Sequence, residues 1–181
     1  PSVDVDPRVA GALLAALALV LVALLFPVGA VFRDGRVVLS GNDPYAYLYL
    51  VEELARTASG PFDFGALTGA SFPATGEPLL VAVLWFVTAL LGGVEAAPAV
   101  LAWYPAVAGV ATGLFVYLLA TGLTDDERVG IASVAMLAVL PVLAFRSGLG
   151  FADHHAFDYV WLTLTAAAAV RLVRTPATRA A

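Results

Sequence analysis

Long uncharged runs of apolar residues are the feature that most limits how this chain folds. Residues 9–32 contain no charged side chain, and an α-helix of about 20 such residues, rising 1.5 Å per residue, crosses the hydrocarbon core of a bilayer. Further uncharged runs follow at 78–94, 96–124 and 129–145. Because backbone polar groups in lipid must be paired within their own segment, we predict an all-α integral membrane protein.

The composition agrees with a membrane location. Apolar residues make up 61% of the chain, whereas about 45 to 50% is usual for a soluble domain. All nine basic residues are Arg, and the net charge is −5. This acidic balance disfavours nucleic acid and anionic lipid surfaces as partners, although ordinary membrane lipid must surround the apolar helices. Cysteine is absent, which excludes disulfides and thiolate sites.

Charged and turn-forming residues divide the chain into segments. We predict transmembrane helices at 9–32, 97–123, 129–147 and 156–173, an external loop at 33–77 and a short or interfacial helix at 79–91. The last helix is closed by Arg171, Arg174 and Arg179, and the bias of basic residues toward the cytoplasm places that end inside. The protein is therefore predicted to be multi-pass.

Part of the long loop has a helical pattern. Apolar residues at Leu48, Val51 and Leu54 recur with helical spacing within 44–58, which predicts a short amphipathic helix. Asp43 directly precedes Pro44, an arrangement in which Asp often caps a helix that begins with Pro. Asp43 is therefore either an N-cap or a functional carboxylate.

A polar cluster lies between the last two apolar runs. Asp153 and His155 are two residues apart, so in an extended segment their side chains leave on one side and can share a divalent ion, while His154 faces elsewhere. An oxygen and a nitrogen ligand suit Mn²⁺, Zn²⁺ or Fe²⁺ better than Mg²⁺. Alternatives remain: Arg146 snorkels from a helix end, both histidines are interfacial polar residues, and Asp158 caps the last helix.

A shared site imposes a condition on topology. For Asp43 and the Asp153 cluster to meet, the intervening chain must cross the membrane an even number of times, yet three apolar runs separate them. The run at 79–91 is the shortest and is predicted not to cross. Both acidic motifs then face outside when residues 9–32 pass outward.

Two motifs together resemble a known family. Residues 41–45 (Gly-Asn-Asp-Pro-Tyr) and 146–155 (Arg-Ser-Gly-Leu-Gly-Phe-Ala-Asp-His-His) are similar to the N-terminal part of the archaeal oligosaccharyltransferase catalytic subunit. The resemblance implies a GT-C-type transmembrane bundle in the plasma membrane with its active-site loops outside. It also implies transfer of a glycan from a dolichol phosphate or diphosphate carrier to Asn in Asn-X-Ser/Thr sequons, with Mn²⁺ or Mg²⁺ as cofactor.

The resemblance also implies roles for single residues. Asp43 would be the catalytic carboxylate that holds the acceptor amide and would bind the metal together with Asp153 and His155. Arg146 and His154 would contact the carrier phosphate. A further residue, Asp158, lies where the family commonly has an acid, and its role stays open. Tyr49 departs from the pattern, because the family often has Arg there.

The resemblance covers the front of the family's protein. A later external loop with a Glu ligand, the motif that binds the sequon hydroxyl and the soluble C-terminal domain are expected to lie outside this chain. Two other functions compete: a different GT-C transferase that uses a polyprenyl-phosphate sugar, and a divalent-metal transporter. The histidine cluster argues against the first, and its position in a break between helices argues against the second.

Overall fold

The computed structural model describes residues 6–69 and 77–175 and is almost entirely helical. Its helices are α1 (Pro7–Leu24), α2 (Val28–Val31), α3 (Asp43–Thr57), α4 (Pro78–Leu91), α5 (Ala97–Thr124), α6 (Glu127–Ala138), α7 (Pro141–Arg146) and α8 (His154–Arg174). Short 3-10 turns occupy Phe64–Thr68 and Gly93–Ala96. Strands β1 (Phe32–Arg33) and β2 (Arg36–Val37) form a small antiparallel hairpin in which Phe32 pairs with Val37. The predicted loop at 33–77 includes 70–76, which lie outside the described residues.

Within the described part of the chain, three helical segments are long and apolar enough to cross a membrane. They are Pro7–Leu24, Gly93–Thr124, which contains α5, and His154–Arg174. Helix α4 is apolar but has 14 residues, fewer than the about 20 that a crossing needs. The protein is therefore a helical membrane protein.

The prediction of one helix over residues 9–32 is wrong, because the chain turns at Pro27. Helix α1 ends at Leu24, and the short α2 follows with Pro27 as its N-cap residue. Proline has no N–H to donate to the carbonyl four residues earlier, and its ring clashes with that carbonyl. Ala23, which holds that carbonyl, instead accepts a hydrogen bond from Phe26 N. The break directs the chain into the hairpin and on to α3.

The prediction of one helix over 129–147 is also wrong. The segment divides into α6, which ends at Ala138, and α7, which begins at Pro141. A residue before proline is excluded from the helical region by the proline ring, and Leu140 has the expected extended backbone, with ψ of 116°. The break turns the chain so that α7 leads into the polar cluster.

Helix α5 is the centre of the bundle, with α1, α4, α6 and α8 packed around it. Small residues permit the closest approaches, because a Cβ added at Gly109 would collide with Leu24 of α1. The largest fully buried side chains come from several elements: Val20, Leu24, Leu80, Leu84, Trp85, Leu101 and Val134. This core fixes the ends of α1, α4 and α5, which surround the polar cluster.

Helix α3 lies on α4 and α5 at one end of the bundle. Its buried face carries Tyr47, Val51 and Leu54, spaced four and three residues apart as expected for one face of a helix. The two aliphatic residues belong to the predicted apolar pattern, and Tyr47 extends that face by one turn toward Asp43. The amphipathic helix thus presents its first turn at the same end of the bundle as the polar cluster.

A candidate functional site where the first loop meets the segment before α8

The segment between α7 and α8 is held in place by backbone hydrogen bonds. Leu149 N donates to Leu24 O at the end of α1, and Gly150 N donates to Ala102 O of α5, both at 2.9 Å. Gly150 also has a φ of +83°, and a Cβ there would collide with Val31, so glycine is required for both reasons. The segment is therefore fixed against two helices of the core.

The first loop joins this segment directly. Ser40 N donates to Gly150 O at 2.9 Å, and a Cβ at Gly41 would lie 3.8 Å from the ring of Phe151. Ser40 and Gly41 immediately precede the first turn of α3. The two motifs that the sequence analysis singled out thus lie side by side at one end of the bundle.

Asp153 is the buried centre of the polar cluster. Its backbone is extended, it is the N-cap residue of α8, and 2% of its surface is exposed. One carboxylate oxygen, Oδ1, accepts a hydrogen bond from His154 N at 2.7 Å, and its carbonyl accepts one from the Tyr104 hydroxyl at 2.5 Å. The first amide of α8 therefore holds the Asp153 carboxylate, and α5 holds the Asp153 backbone.

Both imidazoles lie against this carboxylate. His154 Nδ1 is 2.6 Å from Asp153 Oδ1, and His155 Nε2 is 3.5 Å from Asp153 Oδ2. The centres of the two imidazole rings are 4.2 Å apart. The prediction that His154 faces elsewhere is wrong, because α8 begins at His154. Neighbouring side chains in a helix are about 100° apart instead of pointing to opposite sides.

Asp158 lies one helical turn after His154 and is exposed. The proposal that it caps the last helix is wrong, since Asp153 occupies that position. Asp158 instead joins His154 and His155 in a group whose candidate ligand atoms all lie within 4.8 Å of one another. Its carboxylate thus extends the polar cluster toward solvent.

Asp43 is exposed and begins α3. Its interpretation as an N-cap is wrong: Asn42 occupies the cap position, and no side-chain cap hydrogen bond is made there. Asp43 also lies outside the group of candidate ligands found among the described residues. Its roles in catalysis and metal binding stay predictions, and its carboxylate does not cap α3.

Arg146 is the last residue of α7 and is half-buried. Its guanidinium carbon lies 5.3 Å from the ring centre of Phe145 and 5.9 Å from that of Phe151, within the range of cation–π attraction. Both rings also line an open apolar cleft of about 480 Å³ between the end of α1 and α7. Arg146 is thus a cation at the edge of an apolar cleft.

Sequence analysis did not identify Glu77 or Tyr47. The Tyr47 hydroxyl donates a 2.5 Å hydrogen bond to Glu77 Oε2, and Glu77 Oε1 is 3.9 Å from His154 Nδ1. Burial, followed by the Glu77 hydrogen bond and charge, raises the pKa of Tyr47 above its ordinary value, so its hydroxyl remains a donor at neutral pH. An isolated acid directly before an apolar run was the available signal for Glu77.

The donors in this cluster fit a divalent cation. The group of candidate ligands contains His154, His155 and Asp158; Asp153 lies outside that group, although its carboxylate oxygens are 2.6 Å and 3.5 Å from the two imidazoles. Mixed oxygen and nitrogen donors are typical of Mn²⁺ and similar ions. Asp153 and His155, which were predicted to share an ion, have side-chain atoms 3.5 Å apart. Which of these donors bind a metal remains a prediction.

Comparison with known proteins gives a consistent result. A family model described as oligosaccharyl transferase STT3, N-terminal, matches residues 13–178. Dolichyl-phosphooligosaccharide-protein glycotransferase 3 of Archaeoglobus fulgidus is 34% identical over 82% of this chain and 17% of that relative. Glycotransferase 2 of the same organism is 29% identical over 82% of this chain and 24% of the relative. The chain therefore spans about a quarter or less of the length of these relatives, and no solved structure matches it.

Proposed function

The chain belongs to the oligosaccharyl transferase STT3 family, and from that membership we propose that it forms the N-terminal part of a membrane glycosyltransferase with a GT-C fold. The reaction is transfer of a glycan from a dolichol-phosphate-linked carrier to Asn in Asn-X-Ser/Thr sequons. The observation that carries the proposal is the junction of Ser40 with Gly150, which sets the first turn of α3 beside the cluster that begins α8.

In this proposal Asp43 binds the acceptor. An amide nitrogen is a poor nucleophile because its lone pair is delocalised into the carbonyl, so the protein must hold it in a reactive geometry. Asp43 is exposed at the start of α3 and accepts a hydrogen bond from the acceptor N–H. Because Asp43 does not cap α3, its carboxylate oxygens are available for that hydrogen bond.

The other residues bind the carrier and the cofactor. Asp43, Asp153 and His155 would hold Mn²⁺ or Mg²⁺, which supplies positive charge to a phosphate leaving group. Arg146 and His154 donate hydrogen bonds to the phosphate oxygens, and such charge-assisted bonds are stronger than neutral ones. The apolar cleft beside Arg146 suits the isoprenoid part of an amphiphilic phosphate.

The acceptor is tested with three labelled peptides that carry Asn-X-Thr, Gln-X-Thr or Asn-X-Ala. The complete gene product, supplied with lipid-linked glycan, is expected to modify the first peptide and neither of the others. Equal modification of all three, or transfer to a lipid or sugar acceptor instead, would favour another GT-C reaction. Uptake of divalent metal into vesicles without any transfer would favour a transporter.

His155→Asp is expected to weaken a preference for Mn²⁺ over Mg²⁺. The substitution replaces an imidazole nitrogen by a harder carboxylate oxygen, which suits Mg²⁺ better. Activity is titrated with each metal in the wild type and the variant, with the exposed Glu95→Gln as control. The same ratio of Mn²⁺-supported to Mg²⁺-supported activity in both proteins would remove His155 from the proposed ligands.

We further propose that the site faces outside across the plasma membrane. The chain has no Cys, so single Cys substitutions can be labelled without background. A Cys at Ser59, after α3, is expected to react with an impermeant reagent from outside, and a Cys at Glu127, at the start of α6, from inside. Both residues are exposed. Labelling of both from one side would contradict this topology.

A further inference from the structure

Tyr47, which is buried, and Glu77, which is half-buried, form a polar pair that the proposed reaction does not use. Tyr47 is 8% exposed, and its hydroxyl donates to Glu77 Oε2 at 2.5 Å. Glu77 is the N-cap residue of α4, yet its side chain makes no cap hydrogen bond. Here the carboxylate is directed to another helix.

At one end, the pair acts on the helix that carries Asp43. Tyr47 follows Asp43 by four residues in α3, so both side chains leave the same face of that helix, one turn apart. A bond that fixes the Tyr47 hydroxyl therefore limits both rotation and sliding of the turn that presents Asp43.

At the other end, the pair reaches the polar cluster. Glu77 Oε1 is 3.9 Å from His154 Nδ1, and the same nitrogen is 2.6 Å from Asp153 Oδ1. Helix α3 packs mainly on α4 and α5, and Glu77, at the start of α4, gives it a polar connection to the start of α8. The series Tyr47, Glu77, His154 and Asp153 thus spans both halves of the candidate site.

We propose that Tyr47 and Glu77 are positioning residues that hold the Asp43 face of α3 in register with Asp153 and His154. The proposal rests on the transfer function proposed above, because register matters when one half of a site holds the acceptor and the other holds the carrier. A hydrogen bond from a phenol to a carboxylate is strong and directional. The Tyr47 side chain is buried and the Glu77 side chain is 37% exposed, so the bond lies at the boundary between the core and solvent.

The kinetic test uses Tyr47→Phe, Glu77→Ala and the double variant in the complete gene product. Each single variant is expected to lower kcat about tenfold with the KM for the lipid-linked carrier unchanged, since misplacement costs rate more than binding. The double variant should be no worse than either single one, because both substitutions break the same bond. Tyr49→Phe, on the exposed side of α3, and Glu95→Ala are matched controls and should keep wild-type kcat.

A spectroscopic measurement separates positioning from a general structural role and does not need turnover. Spin labels are attached to Cys at Thr57 of α3 and Trp161 of α8, both exposed. The distance distribution between them is expected to be narrow in the wild type and in both controls, and broader in Tyr47→Phe and Glu77→Ala.

Unchanged distributions in these two variants would overturn the proposal, whether or not kcat falls. A fall in kcat alone would mean that Tyr47 and Glu77 contact the substrate directly. Broadening together with an unchanged kcat would also overturn it. If the distributions broaden in the variants but the wild-type protein transfers no glycan, the link between α3 and α8 is supported and the proposed function is rejected.

Discussion

Asp43→Ala is expected to abolish glycan transfer in the complete gene product while leaving expression and thermal stability close to wild type. The loss of an N-cap costs about 1 kcal/mol, but Asn42 holds that position and Asp43 makes no cap hydrogen bond. The fold should therefore lose less than a cap would. Transfer should be lost because the substrate amide no longer has a carboxylate to hold and orient it. Orientation can lower a transfer barrier by roughly 7 to 11 kcal/mol.

The measurement is transfer to a sequon peptide, with the melting temperature recorded in parallel. Glu53→Ala is the control, because Glu53 is a half-buried carboxylate on the same helix whose nearest cation, Arg56, lies 3.8 Å away. It should transfer normally. If Asp43→Ala keeps activity within a few-fold of wild type, the catalytic assignment of Asp43 fails.

Asp153→Asn is expected to reduce transfer by a factor of at least about 100, the scale typical of losing a group that stabilises developing charge. The amide oxygen of Asn can still accept the hydrogen bond from His154 N and cap α8. The negative charge beside the two imidazoles is removed, however, and with it one predicted metal ligand. Activity should therefore fall much further than stability.

Asp153→Ala provides the comparison, because it removes the cap as well as the charge. It should be as inactive as Asp153→Asn and less stable by about 1 kcal/mol, measured as the shift in thermal unfolding. If Asp153→Asn retains wild-type activity while Asp153→Ala loses it, Asp153 acts only by capping the start of α8, and the charged carboxylate is not needed as a metal ligand.

Hydrophobic patterning was enough to locate most of the helices. The apolar runs at 97–123 and 156–173 predicted the bounds of α5 and α8 closely, and the spacing of Val51 and Leu54 located α3 with its buried face. The errors came at Pro27 and Pro141, where an uninterrupted apolar run was assumed to be one helix. Lipid favours a long apolar run, but a missing N–H and a steric clash end a helix regardless of hydropathy.

The site was only partly predictable, because it depends on helix boundaries and on contacts between distant segments. Had α8 been predicted to begin at His154, the closeness of His154 and Asp153 would have followed. The approach of Glu77 to His154 depends on where the bundle places the start of α4 relative to the start of α8, which no local pattern contains. Its partner Tyr47 was visible as part of an amphipathic helix, but its hydrogen bond was not.

The most direct test of the account is whether the complete gene product moves glycan from a lipid carrier onto protein. Reconstituted protein is incubated with Mn²⁺, a dolichol-phosphate-linked glycan and an Asn-X-Thr peptide, and the peptide is analysed by mass spectrometry. The account predicts a glycopeptide modified on Asn, formed in step with loss of the carrier and absent when the metal is chelated. Consumption of the carrier with the glycan found on another acceptor, or no consumption by folded protein, would contradict it.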